Sequence, residues 1–65
     1  MTDEEIFRTF QTAITSGGSF YSGLANAGLA ADPQNKALIL ETWPRLISEY
    51  GPTSIYYKHL WKTWK

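Results

Sequence analysis

The stretch Ala31-Asp32-Pro33-Gln34-Asn35-Lys36-Ala37-Leu38-Ile39-Leu40-Glu41-Thr42-Trp43-Pro44 decides the fold class of this chain. An aspartate followed directly by proline is a helix start. The carboxylate can accept from a backbone amide that has no partner in the first turn, and proline fits the first helical position, where no donor is needed. Leu38, Ile39 and Trp43, joined by Ala37 and Leu40, then form an apolar face and leave Gln34, Lys36 and Glu41 toward water. The spacing predicts the central helix of the domain here. Pro44 forbids unbroken continuation because it lacks the amide and clashes with the previous turn. A fresh start is predicted instead, with Thr42 or Trp43 as cap and a short helix through about Tyr50 that turns Leu46, Ile47 and Tyr50 inward.

Upstream, Thr2 and Glu5 stand at capping-box spacing, and Asp3, Glu4 and Glu5 suit the positive end of a helix dipole. Ile6, Phe7, Phe10, Ala13 and Ile14 follow as one stripe at helical spacing, with Arg8, Thr9 and Gln11 off it, which predicts a helix over 3–15. Ser16-Gly17-Gly18 ends it, with glycine expected in the left-handed conformation that closes helices. Ser19 is then the expected cap of a second helix over about 20–30, with Phe20, Leu24, Ala27 and Leu29 inward. Gly23 and Gly28 each cost about 1 kcal/mol against alanine inside a helix, so they need a reason. The expected one is a low surface of Gly23, Ala27 and Ala30 that lets a neighbouring helix come close.

Downstream, Gly51-Pro52 is a second break, after which Thr53 or Ser54 can cap a helix over 55–65. As a strand its aromatic residues would fall on both faces. As a helix, Tyr56, Tyr57, Leu60, Trp61 and Trp64 share one arc and Lys58, Lys62 and Lys65 the next. The fold expected from the whole sequence is all-α, a compact bundle of four to five short helices in a single domain over 1–65.

A 65-residue chain hides only about 60% of the surface its unfolded form exposes, so its core is small. The sequence has no cysteine, which excludes disulfides and thiolate metal sites. Aromatic side chains, each able to bury roughly 150 to 250 Å², must carry the packing, or self-association must supplement it. Formal charge is zero, divided as −3 over residues 1–35 and +3 over residues 36–65. A diffuse attraction for nucleic acid or anionic lipid is therefore not expected. An acidic turn follows Met1 and no apolar run has membrane-spanning length, which points to a cytoplasmic protein with no leader and no membrane span.

Catalytic chemistry has little to build on. His59, the single histidine, falls on the side of its helix opposite Tyr57 and Trp61, without a partner that would make it a general base. The acids at 3–5 are explained by capping, and the alternating acidic oxygens of a calcium or magnesium loop are missing. Gly17-Gly18 lacks the lysine, the spacing and the preceding strand of a phosphate-binding loop, and Ser19 and Ser22 have no candidate base. No enzyme activity, cofactor or metal is expected. Two binding surfaces are. One is the C-terminal stripe, where Tyr57, Trp61 and Trp64 with Lys58 and Lys62 could complete the core, contact another protein or a second copy, or lie on a membrane surface. The other is a helix-turn-helix reading in which Gln34, Asn35 and Lys36 would meet DNA, opposed by Asp32 and by the absence of a basic face.

Residues 31–44, with Ala31-Asp32, Asn35, Leu38 and the Trp43-Pro44 step, resemble a run in short uncharacterised helical proteins of tailed bacteriophages and prophages. That resemblance implies no activity and transfers no site residues. It implies an accessory protein of a virus or mobile element acting by contact with a host or viral protein. The function expected is a small non-enzymatic protein-interaction module, and the alternative is a small helical DNA-binding or regulatory domain.

Overall fold

Thr2 opens the first helix as its distance from Glu5 requires. Its hydroxyl accepts from the Glu5 amide at 3.1 Å and its amide donates to the Glu5 carboxylate at 2.9 Å, so both ends of the capping box are closed. In the computed structural model, which describes residues 1–62, this helix is α1 (Asp3–Ser16). It is followed by α2 (Ser19–Ala30), α3 (Pro33–Thr42), α4 (Arg45–Tyr50) and α5 (Ile55–Trp61). The chain is all-α over the described residues.

Each later boundary has a local cause. Asp32 accepts from the Asn35 amide at 2.8 Å, with Pro33 in the first turn of α3. Trp43 leaves the helical region with φ −122° and ψ 75°, the shift expected of a residue before proline. Its carbonyl and that of Pro44 then accept the first bonds of α4, from Leu46 and Ile47 at 3.0 Å each. Ser54 caps α5, accepting from the Tyr57 amide at 3.2 Å while donating to the Gly51 carbonyl at 2.8 Å. The expected Ser19 cap is corrected. Gly18 holds that position without a side-chain bond, and Ser19 is the first residue of α2.

The centre of the fold is α1, not the helix that begins at Asp32-Pro33. α1 packs against α2, α4 and α5, whereas α3 lies to one side against α2. The Ala37-Leu38-Ile39-Leu40 run explains the reversal. Four consecutive apolar residues cover most of a helix circumference, so the run does not point to one face. Ile39, Leu40 and Trp43 are turned to the core and only half-buried, and Leu38 is half-exposed on the outer side.

Phe10, Ala13, Ala25, Leu46 and Tyr50 form the buried cluster, with Ile6, Ile14, Tyr21, Leu29, Ile39, Leu40 and Trp43 packed around it. The predicted stripe of α1 is shifted. Phe7 is half-exposed, while Thr9, expected to lie off the stripe, is fully buried together with Thr12. Three helices enclose α1, which widens its buried arc beyond what one neighbour would need. The threonine hydroxyls tolerate burial because they donate to the carbonyls of Glu5 and Arg8, at 2.7 and 2.6 Å. Ile47 also remains partly exposed at the surface of α4.

Two glycine expectations are corrected as well. Gly17 has φ −82°, an ordinary extended conformation, and its lack of a side chain matters for space. A Cβ there would stand 2.5 Å from the Ala13 carbonyl oxygen and 3.1 Å from Tyr21 Cβ. The close approach on α2 is made by Gly28, where a Cβ would fall 2.5 to 2.9 Å from three atoms of the Phe10 ring. Gly23 faces open space, and Ala27, Ala30 and Phe20 are exposed.

Candidate interaction surface

The C-terminal stripe is divided by the fold. Ser54 sets the start of α5 so that Tyr57 turns inward and is buried. Trp61, one turn later, reaches α1: its indole Nε1–H donates to Thr12 Oγ1 at 2.9 Å. The Arg8 guanidinium lies over the Trp61 ring at 5.1 Å and is itself held by Glu4 at 2.7 Å. Tyr57 and Trp61 rings are 6.5 Å apart. Trp61 thereby fastens α5 to α1. Lys58 and Lys62 are exposed beside the two rings, and Trp64 lies outside the described residues.

A second aromatic group is built where helix ends converge. Phe20 and Tyr21 stand in the first turn of α2, Trp43 at the end of α3, Tyr50 at the end of α4 and Tyr56 at the start of α5. Their rings touch in series from Trp43 to Phe20, Tyr21, Tyr50 and Tyr56, with centroid separations of 5.9, 5.3, 6.0 and 5.9 Å. The first two contacts are edge-to-face and the last is stacked, the arrangements that ring quadrupoles favour. Tyr50 is buried under the middle of the row, while Phe20 and Tyr56 are 58% and 52% exposed. Tyr56, expected to face inward with Tyr57, instead stacks on Tyr50 from outside.

Charge runs alongside this row. Arg45 and Glu49, one turn apart on α4, pair at 2.9 Å with side chains 67% and 43% exposed. Hydrogen bonding to Tyr21, then the charge of Glu49, raises the Arg45 guanidinium above its ordinary range. Burial, then the Glu49 charge, pushes the Tyr50 phenol up. The row and the ion pair thus form one surface. No simple pattern in the sequence signals it, because its five rings come from four helices and are joined only by how those helices meet.

The other sequence candidates are placed apart. Gln34 and Asn35 are exposed in the first turn of α3. Lys36, half-buried, lines a groove of about 360 Å³ with Asp3, Ile6, Pro33, Ala37 and Leu40, so an acidic side chain stands close to the single base of that trio. His59 is exposed on α5. Among the described residues no group of three or more histidine, aspartate or glutamate side chains could hold a metal ion, and no helix is long and apolar enough to cross a membrane. No protein family, curated protein or solved structure matches the chain.

Proposed function

We propose that this chain is a small non-enzymatic protein-interaction module whose contact surface is the aromatic row from Trp43 to Tyr56. The observation that carries the reading is the continuity of five rings with both Phe20 and Tyr56 more than half exposed. Aromatic rings beside an arginine are the usual anchors of protein interfaces, since they bury large area at low entropic cost. Tyr57 and Trp61 support contact less well, because both are engaged within the fold. The resemblance of residues 31–44 to phage and prophage proteins is the ground for seeking the partner among viral or host proteins.

Site-specific photo-crosslinking in the native host tests the reading. A photoreactive phenylalanine analogue at position 20 or 56 is expected to capture a defined protein, whereas the same group at Gln34, at the opposite end of α3 from Trp43, is not. Equal capture at all three positions, or none at 20 and 56, would remove the aromatic row as the contact surface.

A further inference from the structure

We propose that the partner seated on the aromatic row is a second copy of this chain, related by a twofold axis, with Arg45 of each copy paired to Glu49 of the other. The inference rests on the reading of the row as a contact surface and goes further by naming what covers it. A twofold interface must be complementary to itself, since the same patch meets its own image. A patch of one sign would repel that image. This patch carries one base and one acid side by side, 2.9 Å apart, with the Arg45 side chain 67% and the Glu49 side chain 43% exposed, along rings that include the exposed Phe20 and Tyr56. Exchange of the pair across the axis keeps both charges satisfied, and Phe20 and Tyr56 lose their water contact in the same step.

The size of the core argues in the same direction. Among the described residues the fully buried hydrophobic side chains are Phe10, Ala13, Ala25 and Leu46, two of them alanines. A domain of this length with no cysteine and, among the described residues, no metal-binding cluster gains from apolar burial against a neighbour. A standard interface takes about 800 Å² from each partner, close to a fifth of the 4356 Å² that this chain exposes.

Sedimentation equilibrium of the full chain, from micromolar to millimolar concentration, tests the proposal. A reversible dimer is expected, weakened at least about tenfold by Phe20→Ser or Tyr56→Ser, as for anchor residues. Arg45→Glu and Glu49→Arg each set like charges against one another in the homodimer, so each alone is expected to weaken it at least about tenfold. Mixed in equal amounts, the two variants restore opposite charges at both contacts, and a heterodimer near wild-type affinity is expected. Helical circular dichroism of each variant verifies that it is folded, and Phe20→Ser keeps the test decisive if a charge variant is not. A monomer at every concentration overturns the proposal, as does a dimer indifferent to Phe20→Ser and Tyr56→Ser, or a mixture that does not recover. A monomer that still crosslinks another protein from positions 20 and 56 overturns the second copy while leaving the row as a contact surface.

Discussion

The two aromatic groups of this small fold use the same kinds of side chain for opposite ends. Tyr57 and Trp61 are spent inside: one is buried, and the other is tied to Thr12 and Arg8 on α1. Trp43, Phe20, Tyr21, Tyr50 and Tyr56 satisfy one another ring to ring and leave an apolar surface at the junction of helix ends. Composition does not separate the groups. Position does: the first lies along the flank of the central helix, where neighbours close over it, and the second lies where four short helices begin or stop.

Substitutions should separate the groups by size of effect. The largest loss is expected beneath both, where Phe10→Ala removes the largest fully buried side chain and should cost about 3 to 5 kcal/mol, read as loss of the cooperative thermal transition. Gly28→Ala comes next. Its Cβ meets the Phe10 ring in a core with no room to give, so a loss of about 1 to 3 kcal/mol is expected in urea denaturation despite alanine's better helix propensity. Gly23→Ala, facing open space, should gain up to about 1 kcal/mol in the same assay. Trp61→Phe keeps most of the ring and removes the Nε1–H donor to Thr12, a loss of about 1 kcal/mol, and a cycle with Thr12→Val should show the two effects to be coupled. Phe20→Ser, by contrast, removes only the edge contacts of a half-exposed ring with Tyr21 and Trp43 and should cost the monomer about 1 kcal/mol or less.

The smallest expected effect is one of pH. Tyr50 has its phenol pKa raised by burial in the folded chain, so the folded state holds that proton more tightly than the unfolded one. The stability this contributes is fully present below the unfolded tyrosine value of about 10 and is lost as pH rises above it. Denaturation midpoints compared between pH 8 and 11 should fall more for the wild type than for Tyr50→Phe.

Helix boundaries were the part of the fold open to sequence reasoning, because they are set by neighbours in the chain. Thr2 with Glu5, Asp32 with Pro33, and Ser54 all act as caps, and the chain breaks at Pro44 and Gly51, but the caps expected at Ser19 and at Thr42 or Trp43 stand instead at Gly18 and Pro44, neither with a side-chain bond. The buried faces were less open, since burial depends on how many helices surround an element. Thr9 and Thr12 look polar in sequence and are interior, because a hydroxyl bonded to its own helix no longer needs water. Leu38 looks interior and is half-exposed, because α3 has one main neighbour. The aromatic row was not open to sequence reasoning, since Phe20 and Tyr56 are brought into one row only by how α2, α4 and α5 meet.

The seat of Gly28 on the Phe10 ring also shows where α2 finds its support. α1 carries a closed capping box and a Glu4–Arg8 pair at 2.7 Å, so its first turns have local support. α2 has none: its cap gives no side-chain bond, and Ser19, Ser22, Gly23, Asn26 and Gly28 all weaken it as a free helix. Its helical form therefore rests on packing more than on its own sequence, and the Phe10 ring is the surface against which Gly28 lets it pack.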